Sequence, residues 1–74
     1  MAKLSWTNEA DRSAHVTDES DGGIGANIAP GTVPPIDTVV TIRFRSGEVR
    51  RATVRHISPE DGCVHLGLGW ADAE

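Results

Sequence analysis

Thr38-Val39-Val40-Thr41-Ile42-Arg43-Phe44-Arg45-Ser46-Gly47-Glu48-Val49-Arg50-Arg51-Ala52-Thr53-Val54-Arg55 decides the fold class. Two runs alternate apolar and polar residues on either side of a Ser-Gly-Glu break. In the first, Val40, Ile42 and Phe44 share one face; Val39, Thr41, Arg43 and Arg45 share the other. In the second, over 49–57, Ala52 and Val54 alternate with Arg51, Thr53 and Arg55. A period of two is that of a half-buried strand, so the stretch predicts a β-hairpin. A two-residue loop at Ser46-Gly47 would set Ile42 opposite Arg51. A three-residue loop over 46–48 sets Ile42 opposite Ala52 and Val40 opposite Val54. Register is fixed where one face is buried, so the three-residue loop is expected, with Gly47 left-handed. That register also sets Arg43 opposite Arg51 on the outer face.

The pattern extends outward in both directions. Pro59-Glu60-Asp61-Gly62 is a turn signal. Residues 63–70 form a last strand, with Val64, Leu66 and Leu68 on one face. Gly67 and Gly69 fall on the other, where they weaken the strand or let something pack closely. Upstream, Pro30-Gly31 and Pro34-Pro35 mark a surface loop over 29–37. Ile24, Ala26 and Ile28 make a strand with Gly25 and Asn27 on its other face. Over 12–17, Ala14 and Val16 alternate with Ser13, His15 and Thr17; over 3–7, Leu4 and Trp6 share a side. Residues 8–11 have turn chemistry, and 71–74 look frayed. No segment longer than about ten residues has helical periodicity. Six short strands predict one all-β domain, a small six-stranded antiparallel barrel ordered over about 3–71, because closure hides strand edges.

Composition narrows the function classes. A chain of 74 residues is one domain at most, and it buries only roughly 60% of its unfolded surface. Such a thin core leaves little room for a deep catalytic cleft. The net charge of −4 gives no support to nucleic-acid or membrane binding. Aromatics are few (Trp6, Phe44, Trp70), which counts further against a DNA- or RNA-stacking surface. The single cysteine, Cys63, forbids an internal disulfide and suits a reducing, cytoplasmic setting. No apolar run approaches the roughly 20 residues of a membrane span, and Met1-Ala2-Lys3-Leu4 lacks the apolar core of a signal peptide.

The candidate site begins at Asp18-Glu19-Ser20-Asp21-Gly22-Gly23-Ile24-Gly25. Asp18 and Ser20 can hydrogen-bond backbone amides two residues on. Gly22, Gly23 and Gly25 admit special backbone angles and close approach. A tight polar elbow between two strands follows, serving either as a plain turn or as one wall of a ligand site.

With the strand order in place, the chain resembles a PilZ domain, the bacterial receptor module for cyclic di-GMP. That family carries D/N-x-S-x-x-G between two strands of a six-stranded split barrel, and 18–23 reads Asp-Glu-Ser-Asp-Gly-Gly. The ending Val64-His65-Leu66-Gly67-Leu68-Gly69-Trp70 is similar to the family's usual close, and the likeness spans about Leu4 to Trp70. It implies a ligand set of Asp18, Ser20, Gly22 and Gly23. Asp18 would meet guanine N–H groups, Ser20 a polar edge, and Gly23 would allow close approach. His56 stands near the place where some members stack an aromatic on guanine. By alternation it follows Val54 onto the inward face, so a barrel-end histidine satisfied by hydrogen bonds is the other reading. The family's first motif, R-x-x-x-R, departs here: Lys3 and Arg12 are the basic residues before Asp18. Arg51-Ala52-Thr53-Val54-Arg55 fits its letters, but it lies mid-strand and after the second motif, and is taken as coincidence. Counting back, the missing arginines would fall just before Met1. Arginine forks onto phosphate or guanine, so without them Asp18, Glu19 and Asp21 face an anionic ligand. The resemblance therefore implies a regulatory domain whose nucleotide binding is weak or lost.

Five of the seven basic residues lie between Arg43 and Arg55. Arg43, Arg45, Arg51 and Arg55 share the outer hairpin face, and like charges across a pair destabilise it. The cluster is an anion or protein-partner patch, or it fans into solvent. Cys63-x-His65 is a weak metal pair without structural zinc spacing, so no metal or cofactor is expected beyond cyclic di-GMP as ligand. Ser20 has no evident His–Asp partners, and no phosphate loop with its lysine is present, so no enzyme activity is expected. The alternative function is a small barrel adaptor for another protein. Two unpaired edges and a thin core leave a homodimer open.

Overall fold

A computed structural model describes residues 2–6 and 11–71. The strands are β1 (Ala2–Ser5), β2 (Arg12–Glu19), β3 (Gly23–Ile28), β4 (Val39–Phe44), β5 (Val49–Glu60) and β6 (Cys63–Trp70). They close into an all-antiparallel barrel in the order β1-β2-β3-β6-β5-β4. The described residues contain no helix, hence none able to cross a membrane. The expected turn at 8–11 and the end of the expected first strand at Thr7 fall largely outside the described residues.

The inward positions are the apolar ones of the alternation. Leu4, Ala14, Ile24, Ala26, Ile28, Val40, Ile42, Ala52, Val54, Leu66 and Leu68 are buried, joined by Ala2. Small alanines interleave with branched residues, which lets six strands close around one core. No polar side chain is buried among the described residues. The loop from Ile28 to Val39 crosses the far end of the barrel and buries Pro34. Arg12 holds that loop, donating to Thr32 O at 2.8 Å and Ala29 O at 3.2 Å.

The near end collects the β2–β3 turn, the β4–β5 turn and the last residue of β6. There the inward row ends in Phe44, Arg50 and Trp70. The two rings lie 6.5 Å apart, and the Arg50 guanidinium sits 3.7 Å over Trp70. Arg50 thus occupies a core-parity position by laying its cation on an aromatic face at the rim.

The hairpin register corrects the expectation. Val40 pairs with Ala52, Ile42 with Arg50 and Arg43 with Val49. The loop still has three residues, but they are Arg45-Ser46-Gly47, closed by Phe44 N–H to Glu48 O (2.8 Å) and Gly47 N–H to Phe44 O (2.9 Å). Such a loop takes its left-handed residue last, and Gly47 has φ 99°. Moving glycine to that place slides the register by two, which preserves the faces and separates Arg43 from Arg51. Arg51 faces Thr41 instead.

The β5–β6 turn is shorter than expected. β5 runs on to Glu60, and Asp61-Gly62 alone makes the bend, with Gly62 at φ 77°. Pro59 therefore lies in a strand, opposite Val64. Its place is past Val54, where β4 no longer pairs, so the missing N–H costs no ladder bond on that edge. β2 likewise extends to Glu19, so the elbow contracts to 20–22 and Asp18 belongs to a strand.

Candidate functional site: a glycine-floored groove

Two adjacent strands carry facing glycines. Gly23 pairs with Gly69, and Gly25 with Gly67, on the outer surface of β3 and β6. Four missing side chains leave space that neighbouring side chains enter: Thr17, Asp18 and His65 over Gly25, His56 over Gly67 and Arg55 over Gly69. The groove at these glycines has a volume of about 510 Å³.

Two β-bulges build its walls. Val16 pairs with Ala26, but Asp18 pairs with Gly25, so Thr17 is the extra residue in β2. Strict alternation would turn Asp18 inward; the bulge turns Thr17 and Asp18 outward together. Their oxygens hang over Gly25, where a Cβ would meet Asp18 Oδ1 at 2.9 Å and Thr17 Oγ1 at 3.0 Å. Across the floor, Val54 pairs with Leu68 but His56 with Gly67, so Arg55 is the extra residue in β5. Arg55 and His56 both point outward. Arg55 lies over Gly69, its Nε 3.1 Å from where a Cβ would stand; the His56 Cβ is 3.2 Å from the same point at Gly67. The inward placement expected of His56 is therefore wrong, because the bulge reverses parity after Val54. It is an exposed residue.

The elbow closes one end of the groove. Ser20 N–H donates to Gly23 O at 2.8 Å. Trp70 ties the turn to β6: its backbone N–H reaches Gly22 O at 3.1 Å and its indole Nε1 reaches Ser20 O at 3.0 Å. Positive φ is not what the elbow glycines supply, since Gly31, Gly47 and Gly62 are the glycines that have it. Gly23 and Gly25 supply space: a Cβ on Gly23 would collide with the Leu68 carbonyl oxygen. Gly22 meets nothing within 4 Å.

Asp18, Ser20, Gly22 and Gly23 all line this groove, together with Arg55 and His65. His56 borders it through Gly67. His65 shares a 2.8 Å hydrogen bond with Asn27 Oδ1, its cross-strand neighbour. Period-two reasoning placed Arg55 outward but grouped it with the hairpin arginines rather than with the elbow, and it did not include Trp70 in the site. The facing glycines were visible in the sequence, but their pairing was not.

The arginine cluster is divided. Arg43 reaches Asp11 Oδ2 at 3.4 Å. Arg43 and Arg45 edge a separate recess of about 290 Å³ beside Lys3, Ala2 and Phe44. Arg51 stays on the outer hairpin face, and Arg55 belongs to the groove. Cys63 is half-buried with Sγ 3.9 Å from Glu60 Oε1, and the described residues hold no group of three metal-type ligands.

Compared with family models, curated proteins and solved structures, the chain matches none.

Proposed function

We propose that the chain is a PilZ-like regulatory domain of bacterial, cytoplasmic cyclic di-GMP signalling that holds the nucleotide weakly. The observation that supports this reading is the groove. Asp18, Ser20, Gly22 and Gly23, the residues of the D/N-x-S-x-x-G pattern, line one concave surface of a six-stranded barrel. The weakness follows from where the cations go. Arg12 is committed to loop carbonyls and Lys3 to Ser13 Oγ at 3.3 Å, so neither reaches the elbow. Asp18, Glu19 and Asp21 give the elbow three acidic groups against two nearby cations, Arg50 beside Glu19 and Asp21 and Arg55 on the groove. Like charges a few ångströms apart cost on the order of 1 kcal/mol in water.

The test is a heteronuclear NMR titration of the labelled chain with cyclic di-GMP at low salt. Saturating shifts centred on Ser20, Gly22 and Gly23 support the reading. An unchanged spectrum at millimolar nucleotide removes it.

A second reading, an adaptor that binds another protein, is favoured by one observation. Val39 and Val49 are about half exposed on the outer face of β4 and β5, beside Arg43 and Arg51. A mixed apolar and basic sheet face suits an acidic partner. Charge reversal at Arg43 and Arg51 would abolish that contact and leave nucleotide shifts unchanged.

A further inference from the structure

We propose that the recess at the near end of β1 and β4, with the basic sheet face beside it, docks an acidic peptide segment of a partner protein through one bulky apolar side chain. This rests on the adaptor reading above, gives it a site and a partner chemistry, and is independent of nucleotide binding.

The strand registers gather cations on one face. Lys3 of β1 stands directly opposite Arg43 of β4, and Arg43 opposite Val49 of β5. In the next row Thr41 lies between Ser5 and Arg51. Like charges facing each other across an antiparallel pair destabilise it. Asp11, 3.4 Å from Arg43, offsets part of that cost, but both members of this ion pair are largely exposed. Such a pair is weak, so a carboxylate from outside can take the place of Asp11 with little loss. The whole chain has a net charge of −4, and this face is its basic exception. The complementary partner is acidic.

The recess supplies an anchor point. Ala2 and Phe44 pair at the barrel rim, Ala2 buried and Phe44 half-buried. They line a space of about 290 Å³ together with Lys3, Arg43 and Arg45, and none of these five residues is acidic. The volume is at the lower bound for small-molecule clefts, which suits one leucine-sized or aromatic side chain. Val49, 52% exposed, continues the apolar surface along the same row. An apolar anchor in a pocket carries most of the energy of an interface, while charges at its rim set selectivity and association rate.

The experiment titrates the labelled chain at low salt with a blocked peptide of aspartates and glutamates around one central leucine. One control peptide has alanine for the leucine; another has every acid replaced by its amide. The parent peptide should move the amides of Ala2, Lys3, Arg43, Phe44, Arg45 and Val49. The alanine control should bind at least about tenfold more weakly, the loss of one buried apolar side chain. Lys3→Glu turns the like pair with Arg43 into an opposite one, so it should keep or raise the denaturation midpoint. The same variant should weaken the parent peptide about fivefold. If either control peptide binds as tightly as the parent, or Lys3→Glu binds like the wild type, the proposal is wrong. If shifts gather on Val39 and Arg51 while the recess amides stay still, the recess is not the docking point, yet the adaptor reading stands. If the parent peptide at millimolar concentration moves nothing, the proposal and the acidic-partner reading fall together.

Discussion

Gly22 and Gly23 are adjacent in sequence and should respond oppositely to alanine. At Gly22 the backbone lies outside the left-handed region, and an added Cβ meets nothing within 4 Å. The substitution then acts on the unfolded chain, which loses conformational freedom. It should stabilise by about 0.4–1 kcal/mol. For a domain of 74 residues that raises the midpoint by roughly 2–8 °C. At Gly23 the same Cβ runs into the Leu68 carbonyl oxygen. That oxygen belongs to the backbone of the paired strand, so no rotamer change relieves the overlap. β3 and β6 must separate at the closing pair Gly23–Gly69, and Trp70 loses its hold on Gly22 O. Overpacking of this kind costs at least about 1–3 kcal/mol. Total stability for this length is on the order of 4–11 kcal/mol, so the loss is a large fraction of it. Thermal and urea denaturation followed by circular dichroism would measure both variants. A Gly23→Ala protein as stable as wild type, or a Gly22→Ala protein less stable than Gly23→Ala, would refute the reasoning.

Other substitutions test the near end, the core and the surface. Trp70→Phe keeps the ring against Phe44 but loses the indole bond to Ser20 O and much of the Arg50 contact. It should cost about 1–2 kcal/mol in chemical denaturation and broaden the Ser20–Gly23 amides. Leu66→Ala removes a side chain with no exposure and should cost about 2–5 kcal/mol by the same assay. Asp11→Asn should change stability by less than about 1 kcal/mol, since both partners of the Arg43 pair are largely exposed. A larger effect would mean that Asp11 has a second role.

Much of the fold was legible because the core obeys a period of two. Val40, Ile42, Ala52, Val54, Leu66 and Leu68 were assigned to the inner face and lie there. Six strands and a closed barrel follow from that pattern with turn chemistry between. The hairpin register was not legible from pattern alone. Sliding a strand by two preserves every face, so burial cannot choose between the alternatives. The choice was made by the turn, which needs glycine in its third place. Pro59 misled for a related reason. Proline signals a break, yet on an unpaired edge it has no ladder bond to lose.

The site was legible as a motif but not as a surface. Asp18, Ser20, Gly22 and Gly23 are contiguous, so a sequence reading finds them together. Arg55 and His56 enter from a strand thirty-odd positions away, and His56 turns outward only through a bulge that counting by twos cannot see. The same holds for Asp18, which strict alternation from Ala14 and Val16 would have buried. Both breaks in parity flank the same glycine floor, and each places a polar pair where an apolar core residue would otherwise point. A barrel built only for stability has no need of either extra residue, since an unbroken β2 or β5 would keep more ladder bonds. Bulges recur where a strand must re-aim a side chain. Where local rules break in this barrel, they break on both sides of one groove, and that coincidence supports the proposed site independently of the hexapeptide.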